Sequence, residues 1–269
     1  MADPDRDCAI IAHRGIWQDA PENSLLAIER AIADGYDMVE IDVRQSVDGG
    51  FVLLHDDSLD RMTGRNAAPE TLPIPELAGL RLRNRDGGAQ NTLTEQRLPT
   101  LQQVFELTRD RIFVHLDVKD TGLIPQVIAL AKAMGVAQQV DVWRALTSAE
   151  GLARIKAEIM AQDVAFIAKT RLNVADAALQ TELVFKLRPS VCEIYFDRIE
   201  QVADLKRRFA DAGIALWVNT LDAVSCAGLT DTRALQDPDA VWGTLLDAGI
   251  SAIQTDQAAA LRAYLASRR

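Results

Sequence analysis

Val39-Glu40-Ile41-Asp42-Val43, followed after Asp48-Gly49-Gly50 by Phe51-Val52-Leu53-Leu54-His55-Asp56, is the stretch that decides the fold. Strict alternation of apolar and acidic residues marks a strand, because successive side chains on an extended chain point to opposite faces. Val39, Ile41 and Val43 line one face, and Glu40 and Asp42 the other. The apolar set suits a covering layer of helices, which leaves both acids pointing into the interior of a sheet or barrel. The Asp-Gly-Gly turn makes the second run a hairpin-like extension of the same position.

Outward from this hairpin, short apolar runs alternate with longer amphipathic ones. Strands are expected at Ala9–His13, Met38–Val43, Phe51–His55, Ile112–Lys119, Val140–Trp143, Val164–Ala168, Val191–Phe196, Ile214–Asn219 and Ala252–Thr255. Helices are expected at Ser24–Asp34, Leu101–Thr108, Ile124–Met134, Ala149–Ile159, Ala175–Lys186, Ile199–Ala212, Ala240–Ala248 and Gln257–Ala266. Gly35, Gly135, Gly213 and Gly249 each follow a helical run, where a left-handed residue ends the helix. Repeated strand–helix units imply a parallel sheet covered by helices. With the hairpin pair counted once, eight strands remain, and the expected fold is an α/β (β/α)8 TIM barrel, a single domain over residues 1–269. A doubly wound open sheet is the alternative. Residues 57–99 have no clear period and read as a small insertion after the second strand. Leu221–Pro238 is a second long connection, and both leave the strand ends where barrels place their sites.

A net charge of −10 argues against a nucleic-acid partner, which needs Lys and Arg to neutralise phosphates. No run of about 18 apolar residues is present, so no membrane span is expected. Cys8, Cys192 and Cys226 are odd in number and far apart, a pattern that builds neither a disulfide framework nor a zinc site. MADPDRDC lacks an apolar core for a secretory signal, and a cytoplasmic location is expected. The oligomeric state is not legible.

The period that aligns Glu40 with Asp42 also puts His115, Asp117 and Lys119 on one face of their strand. Unpaired buried carboxylates cost several kcal/mol per ion. A divalent metal held by Glu40, Asp42 and Asp117 would offset that cost, and an all-oxygen set suits Mg2+, Ca2+ or Mn2+ rather than zinc. The alternative is a structural network in which Arg14, Arg44 and Lys119 neutralise the acids. His13 and His55 close their strands, and an imidazole can take or give a proton near neutrality. His115 lies deeper and is assigned to the interior. Arg14 offers a fork and Lys119 a point charge to a phosphate. Pro21-Glu22-Asn23-Ser24 reads as a helix start with Asn23 or Ser24 as cap; Arg61 and Arg65 of the insertion could reach the site but read first as solvated cations. Two imidazoles, three acids and two cations on successive strand ends are what a metal-assisted phosphodiester hydrolase needs.

HRG with PENS, VEIDV, LLHD with LDRMTG, LPTLQQVFEL, LDVK, LWVNT and IQTDQ occur in that order. With these motifs the chain resembles the glycerophosphodiester phosphodiesterase family over essentially its whole length. The resemblance implies a (β/α)8 barrel with an insertion after the second strand and one divalent cation, Mg2+ or Ca2+ with Mn2+ also suited. It implies His13 and His55 as the catalytic pair, Glu40 and Asp42 as metal ligands, and Arg14 beside the phosphate. Asp117 and Lys119 match a Glu-x-Lys pair, with Asp one methylene shorter. Trp217 and Asn219 match an aromatic and Asn run near the seventh strand and are expected at the substrate. Asp256 matches a terminal Thr-Asp motif, taken as structural. The implied substrate is a small glycerophosphodiester, cleaved to glycerol 3-phosphate and an alcohol. Sugar, polyol or lysophospholipid diesters, or a lyase that stops at a cyclic phosphate, are the alternatives. Asp231, Asp237 and Asp239 either shape the pocket for a polar leaving group or cap a surface helix.

Overall fold

The computed structural model describes residues 8–268. Its contacts divide the chain into two compact units, 12–140 and 141–268 with 8–11.

The first unit takes in the end of β1 (Ala9–His13) and continues through α1 (Leu25–Ala33), β2 (Met38–Gln45) and β3 (Phe51–Leu53). Ser24 caps α1 by accepting from the Ala27 amide at 3.1 Å, and Gly35 leaves the helix at a φ of +68°. β3 runs antiparallel to β2, pairing Val43 with Leu53. It ends there, so His55 lies just past the strand and not at its last residue. The 57–99 stretch, unread by periodicity, is built of short pieces: α2 (Asp60–Thr63), α3 (Ile74–Leu77), and an antiparallel pair of β4 (Arg81–Arg83) and β5 (Leu93–Arg97). Leu59, Met62, Leu77 and Leu82 close over Val52, Leu54 and Leu98, giving this stretch a small core of its own. α4 (Leu101–Thr108) follows, opened by a reciprocal Thr100–Gln103 capping box. β6 (Phe113–Val118) then lies parallel to β2, with Glu40 opposite His115 and Asp42 opposite Asp117. α5 (Ile124–Ala133) completes the unit.

The second unit repeats the strand–helix rhythm through β7 (Val140–Ala145), α6 (Ala149–Glu158), β8 (Ala165–Arg171), α7 (Ala177–Leu187) and β9 (Val191–Tyr195). The run expected as one helix at 199–212 is broken into α8 (Glu200–Ala203) and α9 (Lys206–Asp211). β10 (Ala215–Asn219) leads into the long connection, which contains a helix the sequence did not suggest, α10 (Asp231–Gln236). The next expected helix begins as a π-turn over Asp239–Gly243 and becomes α-helical only in α11 (Thr244–Asp247). β11 (Ile250–Thr255) and α12 (Ala258–Ser267) end the chain's regular structure. Strands β7 to β10 each pair parallel with the strand that follows, as β7–β8, β8–β9, β9–β10 and β10–β11.

Eight parallel strand positions, each followed by helix, with β3 added antiparallel to β2, make this a (β/α)8 barrel. The aspartates of the long connection act as staples. Asp231, buried, accepts from the Thr220 and Thr255 hydroxyls at 2.6 Å each and from the Asp256 amide at 2.8 Å. Asp237 accepts from the Ala240 amide, and Asp239 from the Tyr264 hydroxyl. Their bonds serve capping and packing, in line with the capping alternative. Among the described residues no helix is long and apolar enough to cross a membrane.

Candidate active site

The first unit gathers nearly all of the expected chemistry. Glu40, Asp42 and Asp117 each offer a carboxylate oxygen, and the three lie within 4.8 Å of one another. Strand register accounts for this: β2 carries two acids on one face, and the parallel pairing sets Asp117 level with Asp42.

Asp42 is almost fully enclosed. Lys119 Nζ lies 2.5 Å from its Oδ1 and Arg14 Nε 3.2 Å from its Oδ2. Asn23 Nδ2 donates to Oδ2 at 2.7 Å, while Asn23 Oδ1 accepts from the Asp42 amide at 3.1 Å. Burial alone would raise this carboxyl, but Lys119, Arg14 and His55 outweigh it and hold it well below the usual carboxylate range. Glu40 goes the other way. Burial, then the charges of Asp42 and Asp117, push it up to about 7 against the opposing pull of His13 and Arg14. Its Oε2 accepts from the Arg14 amide at 3.2 Å and lies 3.9 Å from His13 Nε2.

The alternative network is therefore half realised. Arg14 and Lys119 do neutralise Asp42, but Arg44 turns away to Glu70 and to the His55 carbonyl, at 3.1 Å each. Glu40 shows where the internal cations fall short. Three oxygen donors, one of them a buried acid held up by its neighbours' negative charge, fit a hard divalent cation.

Both imidazoles bear on the triad, His13 on Glu40 and His55 on Asp42. His55 Nδ1 pairs with Asp56 Oδ1 at 2.8 Å, and Asp56 is held at about 2: burial opposes, but hydrogen bonds from Arg61 and His55 prevail. Arg61, read first as solvated, joins Asp56 to Glu22, and Glu22, read as an acid of the helix start, is buried. Lys119 also reaches Asp117 at 2.8 Å. Arg14 and Asn23 take left-handed φ values of +54° and +56°, backbone states that are costly for Arg and that cluster at working sites. Gly15 follows at +84°, where an added Cβ would sit 2.6 Å from the Ala27 carbonyl carbon.

Trp217 and Asn219 belong to the second unit. There Trp217 Nε1 donates to Asn219 Oδ1 and Asn219 Nδ2 to Glu193 Oε1, both at 2.9 Å. Glu193 pairs with Lys169 Nζ at 2.8 Å and accepts from the Tyr195 hydroxyl, and Lys169 rests 3.7 Å from the Trp143 ring centre. A lone acid inside the apolar run VCEIYF was the signal for Glu193.

A family model described only as a domain of unknown function matches residues 166–265. A glycerophosphodiester phosphodiesterase of Caldanaerobacter subterraneus subsp. tengcongensis is 35% identical over 120 residues, 43% of this chain and 46% of the relative. The chain thus spans about half the length of that curated relative. Among solved structures, a glycerophosphoryl diester phosphodiesterase from Parabacteroides distasonis aligns with a TM-score of 0.75 at 20% identity, covering 99% of this chain and 89% of that one. A phosphodiesterase of Oleispira antarctica, solved with its product sn-glycerol-3-phosphate, aligns with a TM-score of 0.67 at 23% identity, over 96% of each chain. On a barrel that carries a Glu-Asp-Asp triad flanked by HRG and LLHD, the chain is thus similar to glycerophosphodiester phosphodiesterases over part of its sequence and shares the fold of such structures over nearly all of its length.

Proposed function

We propose that the protein hydrolyses a glycerophosphodiester to glycerol 3-phosphate and an alcohol. The observation that carries this is the carboxylate triad with His13, His55, Arg14 and Lys119 around it. Named relatives and the product held by the Oleispira antarctica protein support the same substrate class. Residues 1–269 are taken as one barrel domain with 57–99 inserted, acting on a small substrate in the cytoplasm.

Glu40, Asp42 and Asp117 would hold one divalent cation, Mg2+ or Ca2+, which when bound supplies Lewis-acid polarisation of a phosphate oxygen. Arg14 and Lys119 balance the charge that develops on the phosphoryl oxygens. His13 accepts the proton of the hydroxyl beside the phosphate as that oxygen attacks phosphorus. The bond from phosphorus to the leaving alcohol breaks, and His55 gives that oxygen a proton. Water then opens the cyclic phosphate with the roles of the two rings reversed. Trp217 and Asn219 stay proposed as substrate-binding residues.

The test is turnover of glycerophosphocholine, glycerophosphoethanolamine, glycerophosphoinositol and a sugar phosphodiester, followed by phosphorus NMR. Release of glycerol 3-phosphate supports the proposal, whereas a cyclic phosphate that persists makes the protein a lyase. His13→Ala and His55→Ala should each nearly abolish turnover while the fold survives.

A further inference from the structure

We propose that Arg61, the first cation of the insertion, is a positioning residue that sets two groups of the site at once: His55 through Asp56, and Arg14 through Glu22. The inference rests on the phosphodiesterase reading above.

The guanidinium grips Asp56 with two prongs, Nε to Oδ2 at 2.6 Å and Nη2 to Oδ1 at 3.0 Å. The same Oδ1 faces His55 Nδ1. Nη2 also donates to Glu22 Oε1 at 2.6 Å. Glu22, 3% exposed, receives Arg14 Nη1 on both oxygens, at 3.1 and 3.0 Å, and Arg14 Nε lies beside Asp42. Acid and cation therefore alternate from His55 to the triad, and Arg61 is the one member contributed by the insertion.

The insertion in turn grips Arg61. Its Nη1 donates to the Asp86 carbonyl, and its own carbonyl accepts from the Gly88 amide at 2.7 Å. A Cβ at Gly87, where φ is +73°, would lie 2.6 Å from that carbonyl oxygen, so the loop approaches as closely as backbone allows. Two backbone bonds join the same loop to the turn that carries Glu22: the Glu22 amide to the Arg85 carbonyl at 2.9 Å, and the Arg85 amide to the Ala20 carbonyl at 3.1 Å.

The fork matters because His55 is 42% exposed on its side chain and owes its orientation to Asp56. Misplacing a reacting group by about 1 Å costs ~10²-fold in rate. Lysine, a point charge, cannot give Asp56 a planar two-pronged grip while also reaching Glu22.

The experiment compares Asp56→Asn, Glu22→Gln, Arg61→Lys, Arg61→Ala and His55→Ala by kcat, KM and thermal melting on glycerophosphocholine. Asp56→Asn should lower kcat ~10²-fold with KM within about 2-fold, and Glu22→Gln should raise KM ~10-fold with a smaller fall in kcat. Arg61→Ala should show both effects and regain part of its kcat in added guanidinium, whereas Arg61→Lys should recover less than half of the loss. A lowered melting temperature with kcat and KM unchanged in Arg61→Ala, or a uniform loss in all variants that guanidinium does not relieve, overturns the proposal. An active His55→Ala overturns the phosphodiesterase reading itself, a result distinct from failure at Arg61.

Discussion

Asn23 clasps Asp42 at both ends, donating from Nδ2 to the carboxylate at 2.7 Å and accepting from the backbone amide at 3.1 Å. The clasp needs Asn23 in its left-handed conformation, which Asn tolerates better than most residues. Asn23→Ala should therefore destabilise the fold by about 1–3 kcal/mol and weaken Mg2+ or Ca2+ binding ~10–100-fold. Calorimetric titration beside thermal melting checks both, and unchanged metal affinity would reduce Asn23 to a turn residue.

Glu40 and Asp42 should give opposite pH signatures without metal. The Glu40 carboxyl rises from 4.5 to about 7 on folding, so the folded chain holds the extra proton between those values. Its contribution to stability is present below the unfolded value and is lost as pH rises through about 7. Asp42, depressed from 3.8, contributes above that pH and loses its contribution as pH falls. In chelator, melting should decline from about pH 5 to 8 by a free energy on the order of 2 kcal/mol. Glu40→Gln should flatten this decline and Mg2+ or Ca2+ should reverse it; a flat wild-type profile in chelator would contradict the assignment.

On the proposed function, removing metal should abolish turnover reversibly. Activity lost in EDTA should return with Mg2+, Ca2+ or Mn2+, and a saturating ion should raise the melting temperature by linkage, about 2.7 kcal/mol at a hundredfold excess over Kd. Full activity in EDTA would leave Glu40, Asp42 and Asp117 as structure alone.

Lys119 answers two acids, Asp42 and Asp117. Lys119→Met leaves buried Asp42 with less compensation, and a loss of about 3–5 kcal/mol is expected in chelator. Urea unfolding with and without Mg2+ measures it, and a cost below about 1 kcal/mol would place Asp42's balance on Arg14 and Asn23.

Leu59 is fully buried in the insertion's own core. Leu59→Ala should cost about 2–5 kcal/mol, with turnover falling because Arg61 stands two residues on. A destabilised variant with native kcat would separate the insertion's stability from the site.

Where period and length sufficed, the sequence was legible. β1, α4 and the start of β6 fall within a residue of expectation because each spans a full repeat. The triad was legible for the same reason, as alternation fixes faces. The insertion was not: four-residue helices, a three-residue strand and an exposed five-residue one carry no apolar period, and their core is assembled from Leu59, Leu77 and Leu82 across a long stretch of chain. Arg61 could be read either as solvated or as reaching the site, because its partner Glu22 lies 39 residues away. Asn23 and Ser24 were equal candidates for the cap; Ser24 caps the helix and Asn23 serves Asp42.

Gly15 touches Ala27 so closely that the turn carrying Arg14 and the first helix cannot shift independently. A bulkier residue at 27, on a helix with no acid or base of the site, would tilt the turn of Arg14 from behind. Screens for altered substrate preference should therefore sample that helix's inner seam as well as the loops at the mouth.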